Sequence, residues 1–268
     1  MSVSALWSLA GKTIAITGAA RGIGVTLAMA VVEAGGNVAC LDILATPSPD
    51  EWTILQNLAV AHMVCVTYNH CDVTDEKAVE KVLEEVAADA ELFGNPFWGV
   101  IACAGIQQMI PALDYPMLDF ERVLKVNVTG VFNTCKYAAR ILYRKKRPGS
   151  IVMIASMSGN IANRGLHCTA YNTSKAAVQQ MCRSLAQEWG QYGIRVNTIS
   201  PGYIRTPMTD QLLAERPEME EKWKGGALLG RFGVPEDLKS PAVFLLSDGA
   251  AYMHGSDLRV DGGQCASA

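Results

Sequence analysis

The strongest constraint on this chain is that short, unbroken apolar runs alternate with segments of helical period. Thr13-Ile14-Ala15-Ile16-Thr17 is a mostly β-branched run that stops at Gly18. Asn37–Asp42, Met63–Tyr68, Trp98–Ala102, Ile151–Ile154, Arg195–Ile199 and Leu258–Val260 read as further strands. Helices are predicted over Ile23–Ala34 (closed by Gly35-Gly36), Asp75–Leu92, Asp119–Lys145, Tyr171–Trp189 and Glu236–Leu246. Residues 45–57, with Pro47, Pro49 and Trp52, predict no clear element. A strand with one wet face alternates apolar and polar residues. A strand covered on both faces does not, because both of its faces meet helices. The pattern therefore predicts an α/β fold: a doubly wound, Rossmann-type parallel sheet in a single domain over residues 1–268, with ligands at the carboxyl ends of its strands. Residues 9–150 would form the first half, 151–268 the second, and 206–231 an inserted lid.

Composition narrows the function classes. Half of the residues are apolar and 18% charged, which excludes a disordered chain. The formal charge of −3 asks for neither nucleic acid nor an anionic membrane surface. No apolar stretch reaches the roughly 18 residues of a membrane span, and the segment before Gly11 lacks the basic and apolar regions of a secretory signal. The eight cysteines are scattered, with no C-x-x-C, and the four histidines show no ligand spacing. Reduced thiols in a cytoplasmic enzyme with no metal site are expected. Tyr143-Arg144-Lys145-Lys146-Arg147 is a basic run in a helix's last turn, where cations complement the dipole.

Thr17-Gly18-Ala19-Ala20-Arg21-Gly22-Ile23-Gly24 joins the first strand to the first helix. Glycines there allow a tight turn and close approach of a phosphate, and the helix N-terminus supplies N–H donors. Gly18, Arg21, Gly22, Ile23 and Gly24 are thus candidate cofactor ligands. The spacing is G-x-x-x-G-x-G rather than G-x-G-x-x-G. Asp42 ends the second strand, 18 residues after Gly24. A carboxylate there accepts from ribose hydroxyls and repels a 2′-phosphate, which favours NAD, with NADP as the alternative. Arg21 has two options, a phosphate or Asp42.

Tyr171 and Lys175 stand four residues apart at the start of a helix and share a face. A nearby ammonium favours a phenolate, which makes tyrosine usable as a general acid/base. Ser156 and Ser158 follow the fifth strand, at the edge where ligands bind.

These elements together resemble the short-chain dehydrogenase/reductase family from about Leu9 to Gly263. The matches are Thr17–Gly24, Cys71-Asp72-Val73, Ala104-Gly105, Val126-Asn127-Val128-Thr129-Gly130, Ser156, Tyr171-x-x-x-Lys175, Asn197–Gly202 and Val260–Gly263. The resemblance implies a catalytic set of Asn127, Ser156, Tyr171 and Lys175. Tyr171 would exchange the proton, Lys175 lower its pKa and hold the nicotinamide ribose, Ser156 bind the reacting oxygen, and Asn127 anchor a proton-relaying water. Asp72 and Val73 would meet the adenine. Ala104, Gly105, Pro201, Gly202, Ile204 and Thr206 would complete the cofactor site, with Thr206 and the Ile204 backbone on the carboxamide. The usual serine-to-tyrosine spacing of 13 picks Ser158, whereas aligning Gly159 picks Ser156, as in a fungal-type branch of sugar, polyol and carbonyl reductases. Ser156 is favoured. Cys103 stands where the family has Asn, which would loosen the turn.

The implied activity is hydride transfer between NAD(P) and a secondary alcohol or ketone: a polyol, a ketose or a secondary-metabolite ketone. The other class is a redox-silent scaffold, either a cyclase or dehydratase or a cofactor-sensing binding protein. Ser158, His167 and Trp223 are candidate substrate contacts, and His167 and Cys168 have structural readings too. Met208, Leu212, Leu213, Met219, Trp223 and Leu228 make an apolar stripe that is either core or lid. A homotetramer (or homodimer) built on helices 119–145 and 171–189 and the C-terminal strand region is the family's expectation.

Overall fold

A computed structural model describes residues 2–206, 209–210, 213–214 and 217–266. Seven strands form one parallel sheet in the order β3-β2-β1-β4-β5-β6-β7. They are β1 Thr13–Thr17, β2 Asn37–Asp42, β3 Val66–His70, β4 Phe97–Ala102, β5 Gly149–Ile154, β6 Ile194–Pro201 and β7 Asp257–Val260. Helices α1 Val3–Leu6, α2 Gly22–Glu33, α3 Pro49–His62, α4 Glu76–Leu92, α5 Met117–Leu124, α6 Val131–Lys145, α7 Thr169–Trp189, α8 Glu218–Gly226 and α9 Lys239–Leu246 join them. Strand order reverses between β1 and β4, and that switch point opens a crevice at their carboxyl ends.

Two apolar layers explain the unbroken strands. Ala15, Val100, Ala102, Ile151 and Met153 face the layer packed by α4, α6 and α7. Ile14, Ile16, Ile101, Val152 and Ile154 face the opposite layer, with α2, Leu55 and α9. Each successive strand residue serves the other layer, so neither register can tolerate a polar side chain without a partner.

Four differences from the sequence reading have physical causes. Residues 49–62 form α3, with Pro49 at its first position and Asp50 and Glu51 in its first turn, signals that the surrounding prolines obscured. Met63, expected to open the third strand, instead ends α3 in the left-handed region with φ 56°, which pushes β3 to Val66–His70. The long helix expected over 119–145 is broken by a π-type turn at Lys125–Gly130, between α5 and α6. The late helix expected over 236–246 starts as a 3-10 turn, Pro235–Leu238, before α9.

The basic run ends α6 as expected. Lys136–Glu76 (2.6 Å), Arg140–Glu80 (3.3 Å), Arg144–Glu84 and Arg147–Glu91 tie α6 to α4 along one seam.

Candidate active site

The glycine turn is shaped by close backbone approach. A Cβ on Gly18 would come within 2.8 Å of Ala104 Cα, and one on Gly24 would overlap the Gly18 carbonyl oxygen. Thr17 Oγ1 accepts from Cys103 N–H (3.1 Å) and Ala104 N–H (3.2 Å), locking β1 to the end of β4. The loosening expected from Cys103 is therefore met by Thr17. The Cys103 thiol sits in the interior, where burial pushes it up to about 12, with Lys175 opposing.

The turn presents its N–H groups to anions. Asp42 Oδ2 accepts from Ala20 N–H (3.0 Å) while its Oδ1 accepts from Leu44 N–H (3.0 Å). Glu51, which the sequence reading missed, accepts from Gly22 N–H at 3.0 Å. Arg21 is exposed, and among the described residues it forms no ion pair with Asp42. Two carboxylates already bind here as a negatively charged ligand would, so the cradle fits the phosphate and ribose end of a dinucleotide.

The reactive residues meet at the ends of β5 and α7. Ser156 caps a short 3-10 turn, Met157–Gly159, and its hydroxyl accepts from Ser158 N–H at 3.1 Å. The same side chain lies beside the Tyr171 hydroxyl. Burial pushes that hydroxyl up to about 12, and the neighbouring Ser156 hydroxyl opposes the rise. Lys175, 4% exposed, lies below the ring, with Nζ 5.5 Å from its centroid and donating to the Ile154 carbonyl at 2.8 Å. Burial lowers Lys175 to about 8, with Cys103 opposing. The Lys175 ammonium, expected to lower the tyrosine pKa, spends a donor on Ile154, and burial is the largest influence on Tyr171.

Asn127 is fully buried in the π-type turn. Its Oδ1 accepts from Ile106 N–H (2.8 Å), and its Nδ2 donates to the Ile106 carbonyl (2.8 Å) and to Ser174 Oγ (3.0 Å). Ser174 Oγ in turn donates to the Tyr171 carbonyl at 2.7 Å. Gly105 lies against this group: a Cβ there would stand 3.3 Å from Asn127 Oδ1 and 3.7 Å from Lys175 Nζ. The wider π-type turn re-aims Asn127 towards the β4 loop, a common use of such turns.

The remaining candidates spread around this centre. Asp72 Oδ1 accepts from Thr74 N–H (2.8 Å), and Val73 is buried with its carbonyl on Asn133 (3.1 Å). Pro201 ends β6, and Gly202 packs against Asp261, where a Cβ would lie 2.7 Å from Asp261 Cα. The Thr206 N–H donates to Thr209 Oγ1 (2.8 Å), and Thr209 Oγ1 donates to the Ile204 carbonyl (2.6 Å). Ser158 is buried beside Ser156, whereas His167 is exposed.

Trp223 is 3% exposed and stacks on Tyr203 at 4.2 Å, in a cluster with Leu213, Met219 and Phe232. Leu228 is exposed, and Met208 and Leu212 lie outside the described residues. The described part of the stripe is therefore mostly packing. Tyr203 and Asn163 were missed by the sequence reading. They join the α8 cluster to the loop before α7 through Asn163 Nδ2 donating to Tyr203 Oη at 3.0 Å. Among the described residues no cluster of metal-ligating side chains occurs, and no helix is long and apolar enough to cross a membrane.

Comparisons with known proteins find likeness over almost the whole chain. A family model described as enoyl-(acyl carrier protein) reductase matches residues 18–264. The chain is 43% identical to the short chain dehydrogenases/reductase notP' of Aspergillus versicolor, over 99% of this chain and 91% of that protein. It is 34% identical to the ribulose-forming D-arabinitol 2-dehydrogenase of Candida tropicalis, over 98% and 99%. Among solved structures, the NADPH-dependent 3-quinuclidinone reductase of Rhodotorula rubra superposes with a TM-score of 0.86 at 35% identity, over 99% of this chain and 95% of that one.

Proposed function

Because the chain belongs to the short-chain dehydrogenase/reductase family, we propose that Ser156, Tyr171 and Lys175 carry its oxidoreductase chemistry on a hydroxylated secondary alcohol or ketone. The observation that carries this reading is the convergence of Ser156, Tyr171 and a buried Lys175, whose Nζ stands 5.5 Å from the tyrosine ring centroid and donates to the Ile154 carbonyl at 2.8 Å. Tyr171 gives its hydroxyl proton to the substrate oxygen in reduction and takes it back in oxidation. Ser156 donates to the same oxygen and stabilises the charge that develops there. Lys175 carries the positive charge that holds the proton balance on Tyr171. Asn127 fixes the β4 loop and, through Ser174, the first turn of α7. The Gly18–Gly24 turn, Asp42, Asp72, Val73 and the Pro201–Thr206 segment would hold a nicotinamide cofactor, which would supply or accept the hydride.

We read NAD as the preferred form, because Asp42 ends β2 with its carboxylate fixed beside the glycine turn. The NADPH dependence of the Rhodotorula rubra reductase makes this the point to measure. A polyol or its ketose is the favoured substrate class. The D-arabinitol enzyme supports it by its name, and Ser158 supplies a polar group beside Ser156. Exposed Met117, Leu118, Phe132 and Tyr143 on α5 and α6 suit pairing of copies into a homodimer or homotetramer, which the molar mass in solution, read by light scattering, would test.

The decisive experiment follows nicotinamide absorbance with a panel of polyols and ketones, for wild type and Tyr171→Phe. Turnover lost in the variant is expected. Near-wild-type turnover by Tyr171→Phe would sink the assignment.

A further inference from the structure

Two carboxylates hold one turn. Asp42 accepts from Ala20 N–H, and Glu51 accepts from Gly22 N–H two residues on, each at 3.0 Å. The segment between them is fixed rather than loose. Ser48 N–H donates to the Ala20 carbonyl (2.9 Å), and Tyr68 Oη donates to the Leu44 carbonyl (2.8 Å). Trp52, next to Glu51, packs edge-on against Tyr68 at 5.5 Å. Glu51 is partly buried, whereas its neighbour Asp50 is exposed. Gly22 takes φ +60°, which favours glycine, and a Cβ there would meet nothing within 4 Å. The space towards which a Gly22 Cβ would point is therefore open.

A carboxylate in α3's first turn has an ordinary role, complementing the helix dipole. That role needs no contact with another element, yet Glu51 reaches across to the Gly22 N–H of the glycine turn. We infer that Glu51 is a second cofactor-selecting residue: it braces the glycine turn and sets a negative charge against any phosphate on the adenosine ribose. This deepens the NAD reading and rests on it. Arg21 is exposed and stands in the chain between Ala20 and Gly22, the two residues that the carboxylates grip. A phosphorylated ribose paired with that guanidinium would share this turn with two negative charges.

The test is the dissociation constant for NADH and for NADPH, read by fluorescence titration. It uses wild type, Glu51→Gln, Glu51→Ala, Asp50→Asn and Asp42→Ala, at low and high salt. Gln keeps an acceptor for Gly22 N–H and removes the charge. Glu51→Gln should tighten NADPH about fivefold relative to NADH, and the gain should shrink at high salt. Glu51→Ala should show the same change in ratio with both dissociation constants raised, because the brace is lost as well. Asp50→Asn removes the same charge one residue away and should move the ratio less than twofold. A ratio unmoved in both Glu51 variants, or moved equally by Asp50→Asn, overturns the inference. Wild type binding NADPH at least as tightly as NADH, with no response to Asp42→Ala, overturns the NAD reading alone. The Glu51 ratio still stands or falls by itself.

Discussion

Asn127 grips both backbone groups of Ile106, accepting from its N–H and donating to its carbonyl at 2.8 Å each. A carboxamide is the smallest side chain that offers an acceptor and a donor side by side, as a paired strand would. The grip fixes the loop after β4, where Gly105 comes close to Lys175.

Asn127→Ala should therefore cost both stability and rate. It leaves the Ile106 N–H and carbonyl and the Ser174 hydroxyl without their partner, at about 2–3 kcal/mol. Asn127→Asp keeps the acceptor but turns the donor into a second acceptor facing the Ile106 carbonyl, and should lose at least as much. Urea denaturation read with turnover checks this. A variant of wild-type stability would show that the grip is dispensable.

Lys175 is a stability cost retained for chemistry. Its folded pKa of about 8 lies below the ordinary 10.5, so burying the ammonium opposes folding below pH 8. The unfolded chain holds the extra proton between the two values, so stability rises with pH through that window. Lys175→Met should abolish turnover yet raise the melting temperature at pH 7 by about 2–6 °C, after losing the Ile154 hydrogen bond. The gain should fade by about pH 10, and calorimetry at the two pH values decides it.

The same groups set the pH profile of reduction. Tyr171, at about 12, keeps its proton across the working range, while Lys175 loses charge near 8. The free-enzyme kcat/KM for ketone reduction should therefore fall above about pH 8. In Lys175→Arg, whose guanidinium stays protonated, the fall should move upward or vanish. A flat profile to pH 10 in the wild type would contradict this.

Gly24→Ala should fail for lack of room. Its Cβ would overlap the Gly18 carbonyl oxygen, which is backbone and cannot step aside cheaply. A loss of several kcal/mol, with cofactor binding abolished, is expected. Gly22→Ala meets no atom but is strained by its φ of +60°, so it should cost only about 1 kcal/mol. Thermal melts of the pair separate crowding from backbone strain.

By itself the sequence determined the parallel sheet, the glycine turn and the placing of Tyr171 and Lys175 on one helical face. Each of these is written locally: unbroken apolar runs follow from two covered faces, and a four-residue spacing places two side chains on one helical face. Only the tertiary structure decided the rest. Glu51 reaches Gly22 because α3 packs beside a turn 29 residues earlier. Asn127 meets Ile106 through a π-type turn that helical periodicity does not announce. Ser156 is set against Tyr171 by the fold of the loop between them, which spacing left open with Ser158. The pKa values of Tyr171 and Lys175 depend on burial, a property of the packed chain as a whole rather than of the residues that titrate.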